Sequence, residues 1–323
     1  MTGAMTGAMT GDSPRSPTAT EDVVVVEGLV KRFGSFEAVG GTSFCVRRGE
    51  IFGLLGANGA GKTTTIEILE GYQDRSAGQV TVLGVDPARA TRRWRERIGL
   101  VLQESELSPL HTVAEIVGLF ASLYPSPRSV DETVELVGLT EKRNERVGRL
   151  SGGQKRRVDV ALGIVGRPEL LFLDEPTTGF DPAARREFWT MLEGLRATGT
   201  TMILTTHYMD EAQHLADRSA IMRRGRIVAE GTLEDLSVGL GGTLVRFRPP
   251  PGTDAAAVAA AMGRPAVADG PMVQLSAGDD VQGLLLRLLT WAEGEGLALA
   301  ELEALRPTLD DVFMEVNQEG EAP

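Results

Sequence analysis

Gly56-Ala57-Asn58-Gly59-Ala60-Gly61-Lys62-Thr63-Thr64 is the stretch that decides the fold. It fits the phosphate-loop pattern G-x-x-x-x-G-K-[ST]. The apolar run Ile51-Phe52-Gly53-Leu54-Leu55 before it reads as a short buried strand. Apolar residues at helical spacing follow in Thr65-Ile66-Glu67-Ile68-Leu69-Glu70. Strand, glycine loop and helix form the context in which this pattern carries meaning. Glycines let the backbone wrap tightly and turn successive N–H groups inward as an anion nest. The following helix points its positive end at the same place. Lys62 adds a point charge for the outer phosphates, and the Thr63 hydroxyl can ligate Mg²⁺.

Composition narrows the class. The chain has 323 residues, 42% apolar, enough for one large domain and a small one. A net charge of −12 argues against a nucleic-acid partner, which calls for a basic face. A single cysteine, Cys45, excludes an intrachain disulfide and reads as a small buried hydrophobe. No apolar run approaches the ~20 residues of a membrane helix, and the N-terminus lacks a secretory pattern. These features predict a cytosolic chain that reaches a membrane only through a partner. Residues 1–20 repeat Met-Thr-Gly-Ala and then turn Ser-, Pro- and Thr-rich, which predicts a disordered tail.

Downstream, several candidate strands end in a polar residue. Ile98-Gly99-Leu100-Val101-Leu102 ends at Gln103. Leu170-Leu171-Phe172-Leu173 ends at Asp174-Glu175, and Thr201-Met202-Ile203-Leu204-Thr205-Thr206 ends at His207. Carboxyl ends of buried strands are where open α/β sheets meet their ligands. In phosphate-loop NTPases the first acid holds Mg²⁺, and the second is placed to polarise a water as general base. Ser151-Gly152-Gly153-Gln154 opens a helix with Val158, Ala161, Leu162 and Val165 in phase, a second candidate phosphate-binding end. Gly179-Phe180-Asp181-Pro182 follows the acidic strand, with Pro182 suited to a first helical turn. Thr112-x-x-Glu115 predicts a capping box, and residues 131–147 read as helical. Arg92, Arg93 and Arg95 read as a solvated helix face. His111 reads as a loop residue, and His214 as a surface one. Phe33, upstream of the loop, reads equally as an adenine-stacking aromatic or as a hairpin phenylalanine.

In this order and at these intervals the motifs resemble the ATP-binding cassette (ABC) ATPase family, over about residues 23–236. The resemblance implies an α/β phosphate-loop NTPase domain with a helical subdomain, spanning residues 21–236. It places Phe33 where the family stacks adenine, although tyrosine is commoner there. Residues 56–64 would cradle ATP, and Gln103 would sense the γ-phosphate and Mg²⁺. Ser151, Gly152, Gly153 and Gln154 would bind the ATP of an opposite protomer. Asp174 would assist Mg²⁺, Glu175 would activate water, Asp181 would lie across a dimer interface, and His207 would contact the γ-phosphate. Phe180 replaces the usual leucine, which touches packing more than chemistry. Residues 237–323 fall outside the cassette and read as a small α+β domain: strand 243–248, helix 254–262, strand 272–276, helix 280–292 and strand 297–305. The chain then runs into Pro307-Thr308-Leu309-Asp310-Asp311-Val312-Phe313, where Thr308 and Asp311 can cap a last helix. That ending is similar to the daunorubicin-resistance type of export ATPase. It implies drug or antibiotic export through a separate transmembrane permease, at the cytoplasmic side of the membrane, by an ATP-dependent homodimer. Tails of this kind also occur on exporters of lipids and polysaccharides. Two other readings are a soluble cassette of translation or DNA repair and a non-hydrolysing regulatory cassette. Translation members generally carry two cassettes in one chain and repair members long coiled coils, neither of which is seen. Glu175 and His207 argue against the regulatory reading.

Overall fold

The computed structural model describes residues 21–103, 106–239, 243–278, 280–305 and 308–309. The proposed N-terminal tail, Glu104 and Asp311 lie outside them. The chain opens with a long hairpin, β1 (Asp22–Phe33) and β2 (Phe36–Arg47), then β3 (Ile51–Leu55), α1 (Lys62–Leu69), β4 (Ala77–Val82), α2 (Arg92–Arg95) and β5 (Ile98–Val101). A helical stretch follows: α3 (Val113–Ala121), α4 (Val130–Leu136) and α5 (Gly152–Ile164). Next come β6 (Leu170–Asp174), α6 (Pro182–Ala197), β7 (Thr201–Thr206), α7 (Met209–Leu215), β8 (Arg218–Arg223), β9 (Arg226–Gly231) and α8 (Leu233–Gly239). The last elements are β10 (Thr243–Arg248), α9 (Ala255–Met262), β11 (Ala266–Asp269), β12 (Met272–Gly278), α10 (Val281–Gly294) and β13 (Ala300–Leu305).

Three sheets organise these elements. The central one has order β5-β6-β7-β3-β8-β9. Its pairs β5–β6, β6–β7, β7–β3 and β3–β8 are parallel, and β9 closes the edge antiparallel. Every residue of β3, β6 and β7 is buried. Parallel strands covered on both faces are mostly apolar, which is why β3 and most of β6 read as continuous runs, while β7 also buries Thr201, Thr205 and Thr206. Their shared direction brings Gly56, Gln103, Glu175 and His207 to one edge. A second sheet, β2-β1-β4, is antiparallel, and Phe44 of β2 stacks on Phe52 of β3 with ring centroids 5.4 Å apart. The third, β11-β12-β10-β13, has its own core of Val245, Phe247, Val273 and Leu275 beneath Val258 of α9 and Leu284 and Leu288 of α10. Leu309 is buried with Leu55, Met209, Ala212 and Ile221.

Several expectations hold in detail. Thr112 and Glu115 form the capping box of α3. Arg92, Arg93 and Arg95 are exposed while Trp94 is buried, its indole N–H donating to Val82 O at 2.9 Å. His111 is an exposed loop residue bonded to Ser108 Oγ. His214 is half exposed and stacks on Trp189. Others differ. The helix expected over residues 131–147 stops at Leu136, because Gly138 takes φ +67° and turns the chain so that Leu139 is buried. Two short 3₁₀ turns, Thr140–Lys142 and Val147–Arg149, follow instead. Cys45 is half-buried rather than buried. The last strand begins at Ala300 instead of residue 297, and β11 was not foreseen.

Candidate functional site

The loop after β3 can take its shape only with glycine. Gly56, Gly59 and Gly61 have φ of +155°, +80° and +102°. A Cβ on Gly56 would lie 2.5 Å from Met222 O, and one on Gly61 2.6 Å from Ala38 O. Gly61 is the N-cap of α1 and offers no side-chain cap. The first N–H groups of α1 are therefore left for a ligand. A cavity of about 390 Å³ opens there, lined by residues 58–64 together with Phe36, Ala38, Gln103 and Glu175. Gly56 and Ala57 belong to the same turn through their carbonyls, which accept from Lys62 Nζ at 2.7 and 3.3 Å.

Lys62 is buried, and its ammonium also lies 3.6 Å from Glu175 Oε1. Burial pulls its pKa down, opposed by the neighbouring carboxylates of Glu175 and Asp174. Glu175 sits just past β6 at φ +43°, a strained conformation for a residue with a side chain. Its N–H is held twice by Thr205, at 3.0 Å to Oγ1 and 3.1 Å to the carbonyl. Its other oxygen, Oε2, is 3.2 Å from His207 Nδ1, a close approach without hydrogen-bond alignment. Glu175 thus stands between a lysine and a histidine, aimed at the cavity. Asp174 is buried at the end of β6 and accepts from Thr205 Oγ1. Thr63, Gln103 and Asp174 offer hydroxyl, amide and carboxylate oxygens only. That donor set suits Mg²⁺, which takes one or two carboxylates and completes its shell with water and phosphate oxygens. Among the described residues no cluster of three or more His, Cys, Asp or Glu forms a metal cage.

The second glycine turn lies apart. Ser151 caps α5 by accepting from Gln154 N at 3.3 Å, and Gln154 Oε1 accepts from Ser151 N at 3.0 Å. Ser151, Gly153 and Gln154 line a different cavity of about 460 Å³, with residues 138–142, Arg157, Ala184 and Glu187. Gly152 is the exposed first residue of α5. Asp181 caps α6, its Oδ1 accepting from Ala183 N and Ala184 N at 2.9 Å each. The two cavities share no lining residue. Phe33 is half exposed beneath the Lys31 ammonium, 4.7 Å from its ring centroid, and the aromatic that lines the loop cavity is Phe36.

Two buried charges beside the site escaped the sequence reading. Arg156 of α5 donates to the carbonyls of Leu102, Asp174 and Pro176. Glu211 of α7 accepts from Thr177 Oγ1 at 2.8 Å and Trp189 Nε1 at 3.3 Å, and burial raises its pKa. The available signal was position. Glu211 shares the stripe of Tyr208, Ala212 and Leu215, while Arg156 lies one turn before Val160, from where its helix is apolar all round.

The family described as ABC transporter matches residues 39–178. The linearmycin resistance ATP-binding protein of Bacillus subtilis is 34% identical over 298 residues, 89% of this chain and 96% of that protein. A daunorubicin resistance ATP-binding protein of Streptomyces coeruleorubidus is 35% identical over 305 residues, 91% and 95% of the two chains. A Nod factor export ATP-binding protein of Burkholderia lata is 43% identical over 220 residues, 67% of this chain and 71% of that one. Among solved structures, cbiO1 from Clostridium perfringens, part of an ABC transporter complex, matches with a TM-score of 0.60 and 29% identity over 66% of this chain and 89% of its own. The chain belongs to the ABC transporter family, as one of its ATP-binding, ATP-hydrolysing subunits. Within it, relatives alike along nearly their whole length are resistance ATP-binding proteins. No helix among the described residues is long and apolar enough to cross a membrane.

Proposed function

We propose that this chain powers the efflux of a drug or antibiotic through a separate transmembrane permease, from the cytoplasmic side of the membrane. The observation that carries the choice of cargo is the extent of likeness. The resistance proteins match along about nine-tenths of the chain, C-terminal unit included, whereas the Nod factor relative matches about two-thirds at higher identity. The division is drawn after residue 236, between the ATPase unit and a small α+β accessory unit.

In this reading ATP occupies the loop cavity, with its outer phosphates on residues 56–64 and the Lys62 ammonium. Mg²⁺ would be held by Thr63, Gln103 and Asp174 and would neutralise phosphate charge. Glu175 takes the proton of the attacking water, while Lys62 and His207 stabilise charge on the transferring phosphoryl group. Residues 151–154 of one copy cover the nucleotide of another, so two copies sandwich two ATP head to tail, with Asp181 at their interface. The separation of the two cavities supports this, since one chain presents two half-sites. Leu110, Leu119 and Leu123 are each more than half exposed around α3. They suit a face that receives the permease, beside exposed Glu106. The test is ATP-driven daunorubicin uptake by inside-out vesicles from cells making the chain with its permease. Uptake in the parent and none in Glu175→Gln is expected. Steady ATP hydrolysis without drug accumulation overturns the cargo assignment.

A further inference from the structure

Arg156 has no place in the chemistry described so far, yet it is built into the site. Its side chain is over nine-tenths buried, and burial draws its pKa down. The guanidinium donates through Nε to Pro176 O and through Nη2 to Asp174 O, both at 2.9 Å. Nη1 donates to Leu102 O and reaches Gln103 O at 3.5 Å. Its acidic neighbour is Asp159, 3.8 Å away one turn along α5. The four carbonyls lie at the ends of two different strands. Leu102 and Gln103 follow β5, and Asp174 and Pro176 flank Glu175. At a strand end the ladder stops, so these carbonyls need other donors. A buried guanidinium is expensive to desolvate, and packing alone is met more cheaply by an apolar side chain. A planar fork reaching two strand ends is what an apolar side chain cannot supply.

A second contact fixes the same helix. A Cβ on Gly99 of β5 would lie 2.2 Å from Gly163 O, so α5 rests directly on β5 there. Gly163 is about two helical turns beyond Arg156. The helix is thus held to the sheet at two points, Arg156 at the strand ends and Gly163 against Gly99.

We propose that Arg156 is a positioning residue that couples the Ser151 end of α5 to the strand ends bearing Gln103 and Glu175. The proposal rests on the reading that Ser151 meets the nucleotide of a second copy while Glu175 acts on the chain's own. Contact of Ser151 with a partner's ATP then adjusts the placement of Gln103 and Glu175 within the same chain. Two sites that share no lining residue are thereby made to fire together.

The experiment is a double-mutant cycle on the full-length chain, comparing the parent, Ser151→Ala, Arg156→Lys and the double variant. Steady-state hydrolysis of ATP with Mg²⁺ is measured beside melting temperature and ADP affinity. Lysine keeps the charge and the stem but cannot span both strand ends. Arg156→Lys should melt as a folded protein and bind ADP as the parent does. Its kcat should fall roughly 10- to 100-fold with KM little changed, as for a sub-ångström misplacement of reacting groups. The double variant should be no slower than the slower single one, because both changes break the same link. A parental kcat in Arg156→Lys, or effects that multiply in the double variant, overturns the proposal. A parental rate in Ser151→Ala overturns instead the reading of Ser151. If Arg156→Lys does not fold, Arg156→Gln takes its place in the cycle. If neither folds, Arg156 is a folding residue and the proposal falls.

Discussion

Helices α1 and α5 both begin at glycine turns suited to phosphate, and they are finished in opposite ways. At α1 the cradle is the backbone itself. Three glycines at positive φ bend the loop, the N-cap offers no side chain, and a buried lysine reaches back across the turn. At α5 the first N–H groups are partly satisfied by the Ser151–Gln154 capping box, and no lysine lies within the turn. Its cavity is bounded by α5, α6 and the turn after α4 rather than by the central sheet's edge. The first end has a free backbone cradle with Lys62 in reach, and Glu175, His207 and Gln103 beside it. The second supplies hydrogen bonds and a helix dipole without catalytic groups. Under the proposed pairing of two copies, the second end of one would complete the first end of the other.

The comparison can be broken most severely at Lys62. Lys62→Ala removes the only cation inside the first turn, and hydrolysis should become unmeasurable while ATP binding weakens strongly. Malachite-green phosphate release and nucleotide titration read both, and parental turnover would show that the α1 cradle is not the site. Glu175→Gln comes next. The amide nearly matches the carboxylate in shape but is a far poorer base, so hydrolysis should fall by roughly 10²-fold or more with binding kept. Light scattering of this variant should then show a dimer that forms only with ATP and Mg²⁺. Unchanged hydrolysis would remove Glu175 from the role of base.

Adding Ser151→Arg to Glu175→Gln sharpens the contrast between the two ends. A bulky cation at the second cavity should abolish the ATP-dependent dimer and leave ATP bound at the first. A dimer that persists would place its interface elsewhere. The smallest effect concerns Glu211, which braces the turn after Glu175 through Thr177 and the flank of α6 through Trp189. Glu211→Ala leaves both donors buried without an acceptor and should cost about 1–3 kcal/mol in denaturant unfolding. Burial raises this carboxyl above its ordinary 4.5, so the folded protein holds the proton more tightly than the unfolded chain. Its stabilising contribution is complete below that value and is lost as pH rises through the raised one. Glu211→Gln should therefore melt above the parent at alkaline pH and converge with it near pH 4, and parallel melting curves at all pH values would refute the sign.

The legible parts of this molecule were those where one residue type answers one local demand. Asp174, Gln103 and His207 stand at or just past the carboxyl ends of mostly apolar runs, where parallel strands buried on both faces leave the sheet, although β7 itself buries Thr205 and Thr206 before His207. The loop glycines were legible because no other residue takes their φ or tolerates Met222 O and Ala38 O so close. The end of α4 is hidden in the sequence because its acidic face continues past Gly138, whose left-handed φ ends the helix. Strands β8 and β9 are poorly legible, since β8 is a short buried run between arginines and the alternation of the edge strand β9 is brief.

By itself the sequence determined which segments are strand, loop and helix around the nucleotide, and which side chains stand at the strand ends. Those properties are set within a few residues by periodicity, by glycine φ and by capping chemistry. Only the tertiary structure decided that Phe36 rather than Phe33 lines the cavity, that residues 151–154 open into a separate one, and that Arg156 and Glu211 are interior ties. Each of these depends on groups far apart in the chain, on how closely Gly163 lets α5 approach β5, and on which carbonyls the strand ends leave unpaired. A charged residue looks the same in sequence whether water or a strand end will satisfy it, and packing alone makes that choice.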